Sequence, residues 1–239
     1  MRRKLDALRD LDPHGDVFGA ERHRHRLNPP LTAELVRAFE DEFGAQLPPD
    51  YAAFVTRLGD GGAGPGYGVH TLAEIAAGLR AIEEDCVGHG EPFRRLDDPF
   101  PFTAEHAKSF EGRWREASGL APPDGDTYNV PGALVLGTYG CANDAYLVVT
   151  GDLRGTVWRT DGYTFHPCAA DPNRLDFLSW YEAWLDHWLA PGAIDEWAHA
   201  LRRSRTRPPP QVYVVEGTLV GTEIHEFRPA PDATREPRG

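Results

Sequence analysis

Apolar residues recur at three- and four-residue steps in LTAELVRAFEDEFG (residues 31–44), where Leu31, Leu35, Ala38, Phe39 and Phe43 predict the buried face of a helix. Pro29 and Pro30 bar its backward extension and Gly44 ends it. LPPDYAAFVTRLG predicts a second helix, with Pro48 and Asp50 in its first turn, a stripe of Tyr51, Phe54, Val55 and Leu58, and Gly59 as its stop. The short AQL connection makes the two a hairpin. In VHTLAEIAAGLRAIEE, Thr71 stands three residues before Glu74, the spacing of a capping box, and Leu72, Ile75, Leu79 and Ile82 form the stripe of a third helix. The pattern before Asn28 is broken, with short apolar pieces and the basic run ERHRHR, and predicts a segment that lies against the domain.

From Gly132 the period changes. GALVLGTYG, DAYLVVTG, GTVWRTD and GYTFHP are short apolar runs separated by glycine, asparagine and aspartate, which predicts antiparallel neighbours joined by tight turns. ALVL and YLVV are nearly continuous apolar runs, as expected of strands covered on both faces. RLDFLSWYEAWLDHWL supplies a helical cover through Leu175, Leu178, Trp184, Leu185 and Trp188, and Pro191 and Gly192 close it. Between the two regions, residues 88–131 are proline-rich; DDPFPFT predicts one short strand and GLAPPDGDTYNVPG a long surface loop. After residue 192 come a short helix in IDEWAHALRR, an extended linker in SRTRPPP, two strand runs in QVYVVEGTLVGTEIHEF and a disordered tail from Arg228. No internal repeat is present.

A length of 239 residues allows one sizeable domain with an appendage. Cys86, Cys141 and Cys168 are an odd, widely spaced set, and Met1 opens no signal peptide, so reduced thiols and a cytoplasmic location are expected. No apolar run is long enough to span a membrane as a helix. The net charge of -12 disfavours direct nucleic-acid binding, which needs a basic surface, and suits a basic partner. Lys4 and Lys108 are the only lysines, a bias read as genomic composition and not as a binding signal.

The segment GDGGAGPGYG, residues 59–68, raises the question of an anion cradle. A phosphate loop follows a strand, precedes a helix and normally carries a lysine. This one follows a helix, lacks lysine and contains Asp60, so it reads as a turn in which glycine supplies left-handed backbone angles. Cys86 with His89, and His23 with His25, have metal-like spacing, but neither pair is completed by two further ligands; no metal and no cofactor is expected. Cys141, at a strand end, reads as a small buried apolar group. No linear motif of nucleophilic, paired-carboxylate or metalloprotease catalysis occurs, which leaves only Tyr139, Asp144, Asp152, Asp161 and His166, near strand ends, as a set that could converge.

The stretches LPPDYAAFVTRLGDGGAGPGYGVHTLAEI (47–75) and LVLGTYGCANDAYLVVTGDLRGTVWRTD (134–161) together resemble the SUKH superfamily, the domain of fungal cell-wall-synthesis regulators and of many bacterial immunity proteins. The first is similar to the family's helix, glycine-rich turn and following strand; the second to its paired strands, with Trp158 on the later one. VFGAERHRHRLNPPLTAELVRAFE also resembles bacterial members, so the likeness spans roughly residues 11–189. It implies an α+β fold with N-terminal helices on a curved, mainly antiparallel sheet over residues 1–192, followed by an extension at 193–239. It further implies a protein that binds rather than transforms, an immunity protein covering the basic groove of a nuclease-type toxin. The alternatives are a regulatory or scaffold module for another cellular protein and, behind it, a small-ligand sensor or enzyme at the sheet ends. Partner-binding candidates, chosen by charge and loop position, are Asp60, Glu83, Glu84, Asp85, Asp97 and Asp98.

Overall fold

The computed structural model describes residues 1–110, 119–169 and 176–206, with side chains through residue 201. Leu175, residues 207–210 of the linker, the two late strand runs and the tail from Arg228 lie outside the described residues, and linker residues 204–206 are helical, not extended. The helices are α1 (Arg2–Leu11), α2 (Ala20–His23), α3 (Ala33–Phe43), α4 (Pro49–Arg57), α5 (Leu72–His89), α6 (Ala104–Lys108), α7 (Phe177–Leu189) and α8 (Ala193–Thr206). Between α6 and α7 the strands β1 (Ala133–Gly140), β2 (Asn143–Val148), β3 (Val157–Thr160) and β4 (Phe165–Pro167) form an antiparallel sheet in the order β1-β2-β3-β4. The class is α+β, with most helices preceding the strands.

Because strand side chains alternate, the apolar runs feed two cores. Leu134, Leu136, Leu147, Val149 and Val157 face a large cluster with Tyr51, Phe54, Val55, Phe177, Tyr181 and Leu185 of α4 and α7. Ala133, Tyr146, Val148, Trp158 and Phe165 face the other way, onto Phe100, Phe102 and Phe110. The expectation of cover on both faces is met, but the second cover is an aromatic run and the short α6 in place of a long helix. DDPFPFT is not the strand the sequence suggested. Pro99 and Pro101 have no N–H to give a ladder, and the Phe100 amide instead donates to Thr150 Oγ1 at 3.1 Å. Nor is 119–132 only surface loop: Leu120 exchanges backbone hydrogen bonds with Phe165, and Asn129 and Val130 are buried.

Two further differences follow from helix phase and backbone path. In α3 the buried positions are Val36 and Phe39, and Leu35 is 55% exposed. The helix turns its a-like position one residue later than the stripe drawn from Leu31, so Ala38 also faces out. The segment before Asn28 contains a full helix, α1, whose Leu5 and Leu8 enter the main core while Lys4 reaches Glu182 and Asp186 of α7, each at 2.6 Å.

The glycine segment is nearly all buried. Its amides do not line a cradle; they bond to neighbours, with Gly62 pairing to Val69 and Tyr67 N–H donating to the Thr138 carbonyl at 2.9 Å. Residues 67–70 thereby cover the free edge of β1, and after His70 the chain enters α5 with no strand of its own. Backbones meet so closely here that a Cβ at Gly137 would stand 2.2 Å from the Gly68 carbonyl oxygen.

Candidate partner-binding face

α5 begins with the expected capping box: Thr71 Oγ1 accepts from the Glu74 amide at 3.0 Å and the Glu74 carboxylate accepts from the Thr71 amide at 2.8 Å. It continues past the predicted stripe to His89, so Glu83, Glu84 and Asp85 lie on its exposed C-terminal half. Asp97 and Asp98 sit on the turn after Leu96. Asp97 accepts from Arg95 Nε at 2.9 Å, and Asp98 caps the Arg95 amide at 2.8 Å. The Asp97 contact, reinforced by Asp98 and Glu83, raises the Arg95 guanidinium above its ordinary value. Asp97 and Asp98 therefore both bond Arg95, which partly neutralises them, and Glu83 lies near enough to be felt by its charge.

Asp60 is a correction. It is 7% exposed and cannot meet a partner. Its Oδ1 accepts from the Leu72 amide at 2.9 Å and its carbonyl accepts from Asn28 Nδ2, so it caps α5 and ties the N-terminal strap to the glycine segment. Burial pushes its carboxyl above the usual value against the opposing Leu72 amide, and Glu74 adds to the rise.

Asp144 and three residues not singled out from sequence, Asp126, Tyr128 and Tyr163, lie at one end of the sheet. The β1–β2 and β3–β4 turns fall at one end of the sheet, and the 124–129 loop docks there: Thr127 Oγ1 donates to the Gly162 carbonyl at 2.9 Å and Tyr146 hydroxyl to the Thr127 carbonyl at 3.0 Å. Burial first, then the charges of Asp144, Asp126 and Tyr128, oppose ionisation of Tyr146. Tyr128 is 62% and Tyr163 80% exposed, flanking the Thr127–Gly162 contact. Asn129 Nδ2 then reaches Cys86 Sγ at 3.4 Å and the Pro92 carbonyl at 3.0 Å, joining this end of the sheet to the acidic half of α5. The only sequence signal for it was two tyrosines in turn-forming stretches.

The set at the strand ends does not assemble. Asp152 lies in the β2–β3 turn, at the opposite end from Asp144 and Asp161, and is occupied by the Ala104 amide. Asp161 holds its own turn through the Tyr163 and Thr164 amides; those bonds and His166 hold its carboxyl below the usual range although burial opposes them. His166, half-buried, is pushed down by burial against the pull of Asp161. Tyr139 is raised by burial and by Cys168, and burial pushes the Cys168 thiol up to about 12. A groove of about 620 Å³ opens between residues 15–21 and Trp197, Ala198 and Leu201 of α8, and none of the strand-end residues lines it.

Of the metal-like pairs, Cys86 is buried and His89 exposed, and no group of three or more His, Cys, Asp or Glu is placed to hold a metal among the described residues. Cys141 is exposed, not buried, because both residues of the β1–β2 turn, Cys141 and Ala142, take left-handed angles that turn the side chain outward from the hairpin tip. No described helix is long and apolar enough to cross a membrane.

No family model, curated protein or solved structure matches the chain.

Proposed function

We propose that this chain is a SUKH-type protein-binding module of the immunity kind, which acts in the cytoplasm, catalyses nothing, and neutralises a basic, nuclease-type toxin by covering its nucleic-acid groove. The observation that carries the reading is a set of carboxylates, exposed Glu83, Glu84 and Asp85 on the C-terminal half of α5 with Asp97 and half-buried Asp98 on the turn after Leu96, tied through Asn129 to a sheet end bearing exposed Tyr128 and Tyr163, with Arg94 and Arg95 standing among them. Carboxylates complement arginine and lysine of a phosphate-binding groove and speed encounter, and tyrosines supply the buried contact area that charge alone does not. The likeness itself rests on the sequence; the chain runs through helix hairpin, buried glycine segment, capped helix and four antiparallel strands, and the strand that the likeness implies after the glycine segment is replaced by residues 67–70 covering the β1 edge.

The direct test is to purify the catalytic domain of a toxin-like protein from the adjacent reading frame and measure its nuclease activity with increasing amounts of this chain. Stoichiometric inhibition is expected. Undiminished nuclease activity at excess chain, for each such neighbour, counts against the immunity role.

A further inference from the structure

His25 is 1% exposed, and its Nε2 meets Asp12 Oδ2 at 2.7 Å. Asp12 also accepts from the Asp16 amide at 2.7 Å and the Val17 amide at 3.2 Å, so one buried carboxylate gathers the chain from the end of α1 to the far side of α2. His23 closes the arrangement. Its Nδ1 accepts from the His25 amide at 3.1 Å, which requires the neutral ring to carry its proton on Nε2, and that nitrogen is buried without a hydrogen-bond partner. Arg24 and His25 stand in left-handed angles, φ 49° and 52°, that only surrounding contacts maintain.

We propose that residues 12–28 form a proton-operated latch: a proton taken up at His23 Nδ1 removes the acceptor of the His25 amide and frees this strap from the glycine segment and α7 while the sheet stays folded. The uptake is a simple transfer from solvent to the Nδ1 lone pair; no bond breaks except the hydrogen bond that lone pair had accepted. In the closed form the two N–H groups would then point at each other. Little in the surroundings offsets the new charge. From the strap itself, His23 is faced by His25 and, beyond it, Asp12. From the glycine segment come only backbone groups: the Gly64 carbonyl, which favours the charged ring but falls short of hydrogen-bonding geometry, and Gly68, where a Cβ would stand 3.2 Å from His23 Cδ2. From α7 comes the uncharged Trp184 indole, 6.0 Å away. Arg22, Arg24 and Arg26 alternate with the histidines and are exposed, Arg22 laying its guanidinium over the Tyr67 ring of the glycine segment 4.6 Å from the centroid. Burial first, then His25, holds His23 down at about 4.

The test is segment-resolved hydrogen exchange on the full chain between pH 7.5 and 4.5, corrected for intrinsic rate, with the His23→Asn variant beside it. Asparagine offers an oxygen to the His25 amide but takes up no proton in this range. In the wild type, amides of residues 17–28 should open more than those of β2, increasingly so as pH falls, by up to tenfold per unit for one proton. The variant should be flat. An equal pH slope in the variant, or opening of the strap and β2 in step at every pH, overturns the latch. Should the variant not fold, the ring carbon signal of His23 in the wild type decides: titration at the ordinary imidazole value of about 6.5 in a strap still protected from exchange contradicts the proposal, and a ring neutral until the strap opens upholds it.

Discussion

His23 enters the core uncharged, and its depression to about 4 comes chiefly from burial. The folded state therefore binds fewer protons than the unfolded chain between an ordinary imidazole value near 6.5 and that lower value. Its contribution is fully present above the upper limit and is lost as pH falls through the window, at up to about 1.4 kcal/mol per unit and about 3 kcal/mol in all. Urea denaturation at pH 7 and pH 5 should show this loss, and the difference should shrink in His23→Asn. Asp12 works in the same direction at lower pH: burial would raise it, but His25 and the two amides outweigh burial and hold it low, so its stabilisation is lost only as its carboxylate protonates. At Asp60 the expected consequence is structural. Asp60→Ala should cost about 1–3 kcal/mol by leaving the buried Leu72 amide without its acceptor, and should leave partner binding intact once stability is restored by lower temperature. Residue scale is where sequence reading was weakest. Asp60 looked like a loop acid because the amide it caps lies twelve residues on. His25 meets a carboxylate thirteen residues back, a separation with no periodicity to betray it.

Among elements, the capped α5 and the four strands are legible because their signals are local: a Thr–Glu spacing, short apolar runs, and turns of two residues between β1 and β2 and four between β3 and β4, while the β2–β3 connection takes eight. Elements set by tertiary contact are not. The phase of α3 departs from the apolar stripe because Leu31 lies outside the helix, and Val36 and Phe39 face the core while Leu35 and Ala38 face out. DDPFPFT packs its phenylalanines against Trp158 without joining the sheet. The glycine segment was rightly read as a corner, and its packing can be tested by comparing two left-handed glycines. Gly66 has φ +63° and a Cβ there would stand 2.5 Å from the Thr138 carbonyl; Gly90 has φ +74° with nothing within 4 Å. Gly90→Ala should cost about 1–2 kcal/mol, the left-handed penalty alone. Gly66→Ala adds a backbone clash in a close-packed region and should cost several-fold more, about 4 kcal/mol or beyond. Denaturation midpoints of the two variants, compared at equal m-value, check the difference.

For the whole molecule, charge and composition point to a basic partner, and the acids chosen for it are accessible except Asp60, which is buried. What composition could not reveal was that the Thr127–Gly162 and Asn129–Cys86 contacts join the acidic half of α5 to Tyr128 and Tyr163 at the sheet end. The two chemistries predict different kinetic effects. Tyr128→Ala with Tyr163→Ala should leave the association rate nearly unchanged and raise the dissociation rate tenfold or more, since truncating a buried aromatic removes about 2 kcal/mol or more of contact energy. Reversing the charges should act on encounter. The most direct measurement is therefore the association rate with the neighbouring toxin domain, by stopped flow across ionic strengths from 20 to 500 mM, as roughly chosen to span the screening range. The wild type should slow steeply with salt, and Glu83→Lys, Glu84→Lys and Asp85→Lys combined should remove most of that slope and at least about tenfold of the low-salt rate. Tight binding whose rate is indifferent both to salt and to those reversals would contradict an acidic face that covers a basic groove.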